Sequence, residues 1–147
     1  MVDQLTVFLE NEEGRLAKLC RALADAGINM DALTLMDTPE YGVVRILCAN
    51  PSAARDELNK RGYRASITKV SLIKLPDRPG SLADLLGILD DLDIPVEYGY
   101  CFQVAGDYAV DALKISDQME HICHNLRHMS RQVVSAEFNQ IVCNAMV

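Results

Sequence analysis

The amino-acid sequence repeats itself. With an offset of 66 positions, Gly14 falls on Gly80, Leu16 on Leu82, Ala17 on Ala83, Leu19 on Leu85, Leu23 on Leu89 and Ile28 on Ile94, and the match runs on through Val44 on Val110 and Leu47 on Leu113. Self-similarity at a fixed spacing marks a chain built from copies of one supersecondary unit. Whatever the first half folds into, the second must also fold into.

Within the first copy, residues 4–10 place Leu5, Val7 and Leu9 in alternation with Thr6, Phe8 and Glu10, the period of a strand with one buried face. Asn11-Glu12-Glu13-Gly14 breaks the pattern, after which Leu16, Leu19, Cys20 and Leu23 fall at helical spacing until Gly27 ends the helix. Residues 28–36 and 42–49 read as a hairpin around Asp37-Thr38-Pro39-Glu40. Pro51-Ser52 then opens a polar helix to about Arg61, Gly62 closes it, and a strand follows from about Tyr63. The order is βαββαβ. The second copy reads as a strand over 69–75, a turn over 76–80, a helix over 81–92, strands over 95–103 and 108–115, a helix over 117–129 and a strand over about 132–138. The expected fold class is therefore α+β, with two tandem ferredoxin-like βαββαβ repeats, antiparallel sheets and helices on one face, divided as 1–68 and 69–147. No Pro, Gly or Ser-rich linker separates them, because Arg64 to Leu75 is nearly continuous β pattern.

Such a unit serves many functions, and composition removes several. Fourteen Lys and Arg stand against twenty-one Asp and Glu, a net charge of -7 that repels a polyphosphate backbone. No nucleic-acid partner is expected. The acidic N-terminal stretch does not read as a secretory signal, and no run approaches the ~18 apolar residues of a membrane span. Five scattered cysteines without a C-x-x-C pair indicate neither a disulfide framework nor a zinc site. A cytoplasmic protein without a membrane partner is the expectation.

A turn containing glycine joins the first strand to the first helix in both copies, as Asn11-Glu12-Glu13-Gly14-Arg15-Leu16 and as Asp77-Arg78-Pro79-Gly80-Ser81-Leu82. Together with Gly27-Ile28-Asn29 and Ile94, these turns make the chain resemble the ACT domain family, in tandem and over its whole length. Glycine lets backbone N–H groups approach a ligand, and a helix N-terminus favours a carboxylate. The resemblance implies a small ligand, an amino acid, held between paired units by the turn of one and the second-strand start of the other. The implied ligand-binding residues are Asn11, Gly14, Arg15, Leu16, Asn29, Met30, Asp77, Arg78, Pro79, Gly80, Ser81 and Leu82. Glu12 and Glu13 disfavour a ligand carboxylate at the first turn, and Pro95 stands where the first copy has Asn29. The stronger site should pair the second turn with Asn29.

Other constellations compete. His121, His124 and His128 share one face of the last helix and could hold zinc or nickel, but without an orienting carboxylate they read as a solvated face, so no metal is assigned. Tyr98, Tyr100 and Phe102 project to one sheet face, either against a ligand or as packing or a dimer contact. No nucleophile and base pair stands out, and Cys20 and Cys123 lie in or beside apolar stripes, so neither catalysis nor a cofactor is expected. The resulting expectation is a non-catalytic, amino-acid-sensing allosteric regulator of a partner enzyme, acting as a homodimer. The alternative is a regulatory or interaction subunit that binds no small molecule, as in an acetolactate-synthase-type complex.

Overall fold

The computed structural model describes residues 1–10, 12–37, 41–103 and 107–115. The element order is β1 (Val2–Glu10), α1 (Arg15–Asp25), β2 (Met30–Asp37), β3 (Tyr41–Cys48), α2 (Pro51–Lys60), β4 (Arg64–Pro76), α3 (Ser81–Asp91), β5 (Val96–Gln103) and β6 (Tyr108–Ile115). The helix expected over 117–129, with its three histidines, and the strand over 132–138 lie outside the described residues. The chain divides into two compact units, Asp3–Lys69 and Val70–Val147 with Met1–Val2. Among the described residues no helix is long and apolar enough to cross a membrane.

In the first unit the strands run in the order β2-β3-β1-β4, with β1/β3 and β2/β3 antiparallel. Leu5 faces Ile46 and Val7 faces Val44 across β1/β3, so their side chains share one face. Leu19, Ala22 and Leu23 of α1 and Ala54 and Leu58 of α2 close over that face in a single core. Each fully buried Leu or Ile there contributes about 1.5–3 kcal/mol. Cys20 sits half-buried beside the α1 stripe. Asn50 caps α2 by accepting the Ala53 N–H at 3.2 Å, ahead of Pro51 at the first helical position. The other face of β1 is also partly covered: Gln4 and Thr6 are buried, Gln4 Nε2 donates to Thr6 Oγ1 at 3.2 Å, and Thr6 shares a 3.1 Å hydrogen bond with Thr68.

In the second unit the order is β4-β6-β5, all pairs antiparallel. Ile73 and Leu75 of β4, Leu85 and Leu89 of α3, Ile94, and Leu113 and Ile115 of β6 form its core. Two expectations are revised. The strand from about Tyr63 and the strand over 69–75 are one strand, β4, because nothing between Arg64 and Leu75 can turn the chain and its β-branched residues favour extension.

The second revision concerns register. Leu5 pairs with Ile46 in β1/β3, whereas Ser71, its equivalent, pairs with Leu113 in β4/β6. The last described strand is thus displaced by 67 positions from its counterpart, and Val44 corresponds to Asp111, not to Val110, while Leu47 corresponds to Lys114, not to Leu113. The cause is the second hairpin, where Gln103 to Tyr108 spans one residue more than Asp37 to Tyr41. A one-residue slip moves every side chain to the other face, which puts Asp111, only 2% exposed, at a core-facing position.

Candidate functional site

The two glycine turns are built alike. Gly14 (φ 76°) and Gly80 (φ 95°) both cap their helices in the left-handed region, where a side chain is strained. Arg15 N–H donates to the Glu12 carbonyl at 3.3 Å and Ser81 N–H to that of Arg78 at 3.3 Å; Lys18 N–H reaches Gly14 at 3.0 Å and Asp84 N–H reaches Gly80 at 2.9 Å. At the far end of each helix, Ile28 N–H donates to Leu23 and Ile94 N–H to Leu89, at 3.0 and 2.9 Å. These are the helix-ending bonds that follow a left-handed residue, here Gly27 (φ 69°) and Asp93 (φ 55°).

Both second strands begin with a bulge, β2 between Met30 and Ala32 and β5 between Val96 and Tyr98. The extra residue is acidic each time, Asp31 and Glu97. Pairing also fixes where the turn lies relative to the strand start. Glu10 is level with Tyr41, while Met30 is level with Cys48 at the opposite end of β3. Within one unit, therefore, the glycine turn and Asn29 sit at opposite ends of the sheet and cannot hold one small ligand.

Chemically the turns differ. At the first, Arg15 ion-pairs with Glu10 and with Glu12 at 3.4 Å, so its charge is spent locally; Leu16 packs against the core. Asn11 lies outside the described residues. Exposed Asn29 leads into Met30, which packs against the core. At the second turn, Asp77 N–H donates to the Asp107 carbonyl at 3.0 Å, and Arg78, 61% exposed, has only a loose 3.6 Å contact with Asp84. Pro79, Gly80 and Leu82 are exposed, but Ser81 is buried and its hydroxyl has no hydrogen-bond partner. A buried hydroxyl without a partner costs about 1–3 kcal/mol.

A cleft of about 610 Å³ opens beside the first turn. Phe8 and Glu10 at the close of β1, Arg15 at the start of α1 and Tyr41 at the start of β3 line one side; Tyr63 and Arg64 line the other. The Phe8 and Tyr41 ring centroids are 6.4 Å apart, tilted by 55°, and the Arg64 guanidinium lies 5.2 Å from the Phe8 centroid. Of these residues only Arg15 was among the expected ligand contacts. The rest come from separate strands whose register no local motif encodes, although aromatic and arginine residues opening strands beside a glycine turn were a visible signal.

Nothing described is activated for covalent chemistry. Burial pushes the Cys48 thiol up, and a hydrogen bond to Asp111 raises Cys101 to about 11. Among the described residues no three His, Cys, Asp or Glu side chains gather as a metal site. Tyr98 and Tyr100 share one face of β5, both half-buried.

No curated protein matches the chain. Among solved structures, protein BT0572 from Bacteroides thetaiotaomicron is 31% identical, with a TM-score of 0.78 over 88% of each chain. The regulatory subunits of aspartate kinase from Thermus thermophilus (13% identity, TM-score 0.64, 99% of this chain and 93% of that one) and Thermus flavus (14%, 0.59, 97% and 88%) share its fold. The family model described as an ACT domain pair matches residues 1–130. With its duplicated strand, glycine turn and helix, this chain belongs to the ACT domain pair family.

Proposed function

We propose that the chain is a non-catalytic regulatory protein that binds an amino acid at its second glycine turn and passes that state to a separately encoded enzyme. The single observation that carries this reading is the buried, unpartnered Ser81 hydroxyl beside left-handed Gly80 at the start of α3. A buried hydroxyl left without a protein partner is open to one supplied by a ligand. Exposed Arg78, held only by its loose contact with Asp84, offers a cation to a ligand carboxylate, and Asp77 carries the matching anion for an ammonium. Within a unit the glycine turn and the second-strand start lie at opposite ends of the sheet, which supports completion of the site by a second copy of the chain. The spent charge of Arg15, with Glu12 beside it, makes the first turn the poorer site. The regulatory role of the Thermus proteins supports a partner enzyme, and the unpaired thiols of Cys20, Cys48 and Cys101 accord with a reducing cytoplasm.

A thermal-shift screen of the common amino acids tests the reading, since a ligand bound only by the folded state raises the melting temperature. Ser81→Ala sharpens it. Removing an unsatisfied hydroxyl should leave the free protein as stable or up to about 1 kcal/mol more stable, while binding weakens by about 1–3 kcal/mol. A variant that loses stability without ligand, or binds unchanged, overturns the assignment.

A further inference from the structure

The two units end in edges of opposite character. β2 is the outermost strand of the first and β5 of the second, and each is entered from the helix before it, α1 and α3. At the 66-residue offset Lys18 of α1 corresponds to Asp84 of α3, Ala24 to Asp90 and Asp25 to Asp91. Lys18 and Arg21 are exposed and make no ion pair among the described residues, and the same holds for Asp90 and Asp91. Asp25 is held by Arg61 at 3.7 Å, and Asp84 has its loose contact with Arg78. From Pro79 to Leu113 the chain has seven carboxylates and no Lys or Arg, which accounts for the whole net charge of -7. These charges stand at the wrong ends of their helices. Lys18 lies in the first turn of α1, at the positive end of its dipole, and Asp90 and Asp91 lie in the last turn of α3, at the negative end. Neither set stabilises its own helix.

Apolar surface divides along the same edges. β2 turns Leu33 and Leu35 to its core-facing side, where both stay exposed, whereas β5 has Gly99 and Cys101 at the equivalent positions. In the second unit the exposed leucines are instead on the helix, Leu82 and Leu86 of α3. We propose that the edge formed by β2 and α1 of one copy docks on the edge formed by β5 and α3 of a second copy. Antiparallel pairing of the two edge strands carries the helices that precede them antiparallel as well, so the cationic start of α1 meets the acidic end of α3 and the two dipoles oppose. The four leucines lose water along the same seam. The charges also choose between pairings: α3 against α3 finds no cation, and α1 against α1 leaves the carboxylates of α3 unmet. The contact therefore joins unlike units, and it stands whether or not the second turn binds an amino acid.

Exchanging the charges tests it, with association of the full chain read as a dissociation constant by analytical ultracentrifugation. Lys18→Glu with Arg21→Glu makes α1 acidic, and Asp90→Lys with Asp91→Lys makes α3 cationic. Each pair takes charge off the wrong end of a helix, so circular dichroism and the melting temperature should show both variants folded and no less stable than the parent. Each alone should dissociate about tenfold more readily or worse, because its two docking faces now carry like charge. Mixed in equal amounts, the two should associate within about threefold of the parent, since the acidic α1 of one meets the cationic α3 of the other. Added salt should weaken the parent contact. A parent that stays monomeric at high concentration, a dissociation constant unchanged in either variant, or a mixture no tighter than its components overturns the proposal. All of these are read without added amino acid, so their failure leaves the thermal-shift screen of the second turn untouched.

Discussion

Asp93 is the one described residue other than glycine with a positive φ, 55°, and it does in the second repeat what Gly27 does in the first. A side chain in the left-handed region costs about 1–2 kcal/mol, part of which glycine gives back through its freer unfolded chain. Asp93→Gly should therefore raise stability by about 0.5–1 kcal/mol, measured by urea denaturation, and a loss would show that the carboxylate has another task. Cys101 and Asp111 face each other across β5/β6, with the thiol hydrogen-bonded to the buried carboxylate. Its value of about 11 lies above the ordinary 9.0, so the fold holds the proton. The pair favours the folded state below pH 9, and this contribution fades as the pH climbs through about 11. The Cys101 Cβ resonance should titrate near 11 and fall toward 9.0 in Asp111→Asn; a midpoint at the ordinary value in the parent protein would refute the pair. Nothing in the sequence pointed to this contact, because the simple offset set Val110, not Asp111, against Val44.

Among the described elements, helices were the most readable, since apolar spacing, Pro51 and the glycines after α1 and α2 are local signals. Strand limits were less so: β4 runs through the expected boundary because a boundary needs a turn residue, and none is present. β2 is the outermost strand of its unit, and Leu33 and Leu35 lie on its core-facing side yet stay 40% and 49% exposed, with Met36 at 51%. An open strand edge carrying apolar residues invites pairing with another strand. We expect a homodimer formed through β2, detectable by light scattering. Leu35→Lys, which puts a charge on that edge, should yield a monomer; a parent protein that is already monomeric at high concentration would refute the expectation.

At the scale of the whole chain, duplication was plain in the sequence, and so were the two glycine turns, whose chemistry lies within a few consecutive residues. The cleft was not, because Phe8, Tyr41 and Arg64 come from three strands and only their register brings them together. The repeats agree in turn geometry, helix endings and strand bulges, and part at the second hairpin, one residue longer than the first. That residue governs which exchanges of genetic material between the two coding halves could survive. A crossover carrying both strands of a hairpin together transplants their pairing intact. One that falls between the strands, or replaces β3 with β6 at a constant offset, would turn core residues outward along the whole strand. The hairpin, not the single strand, is the unit in which these halves can be inherited or shuffled.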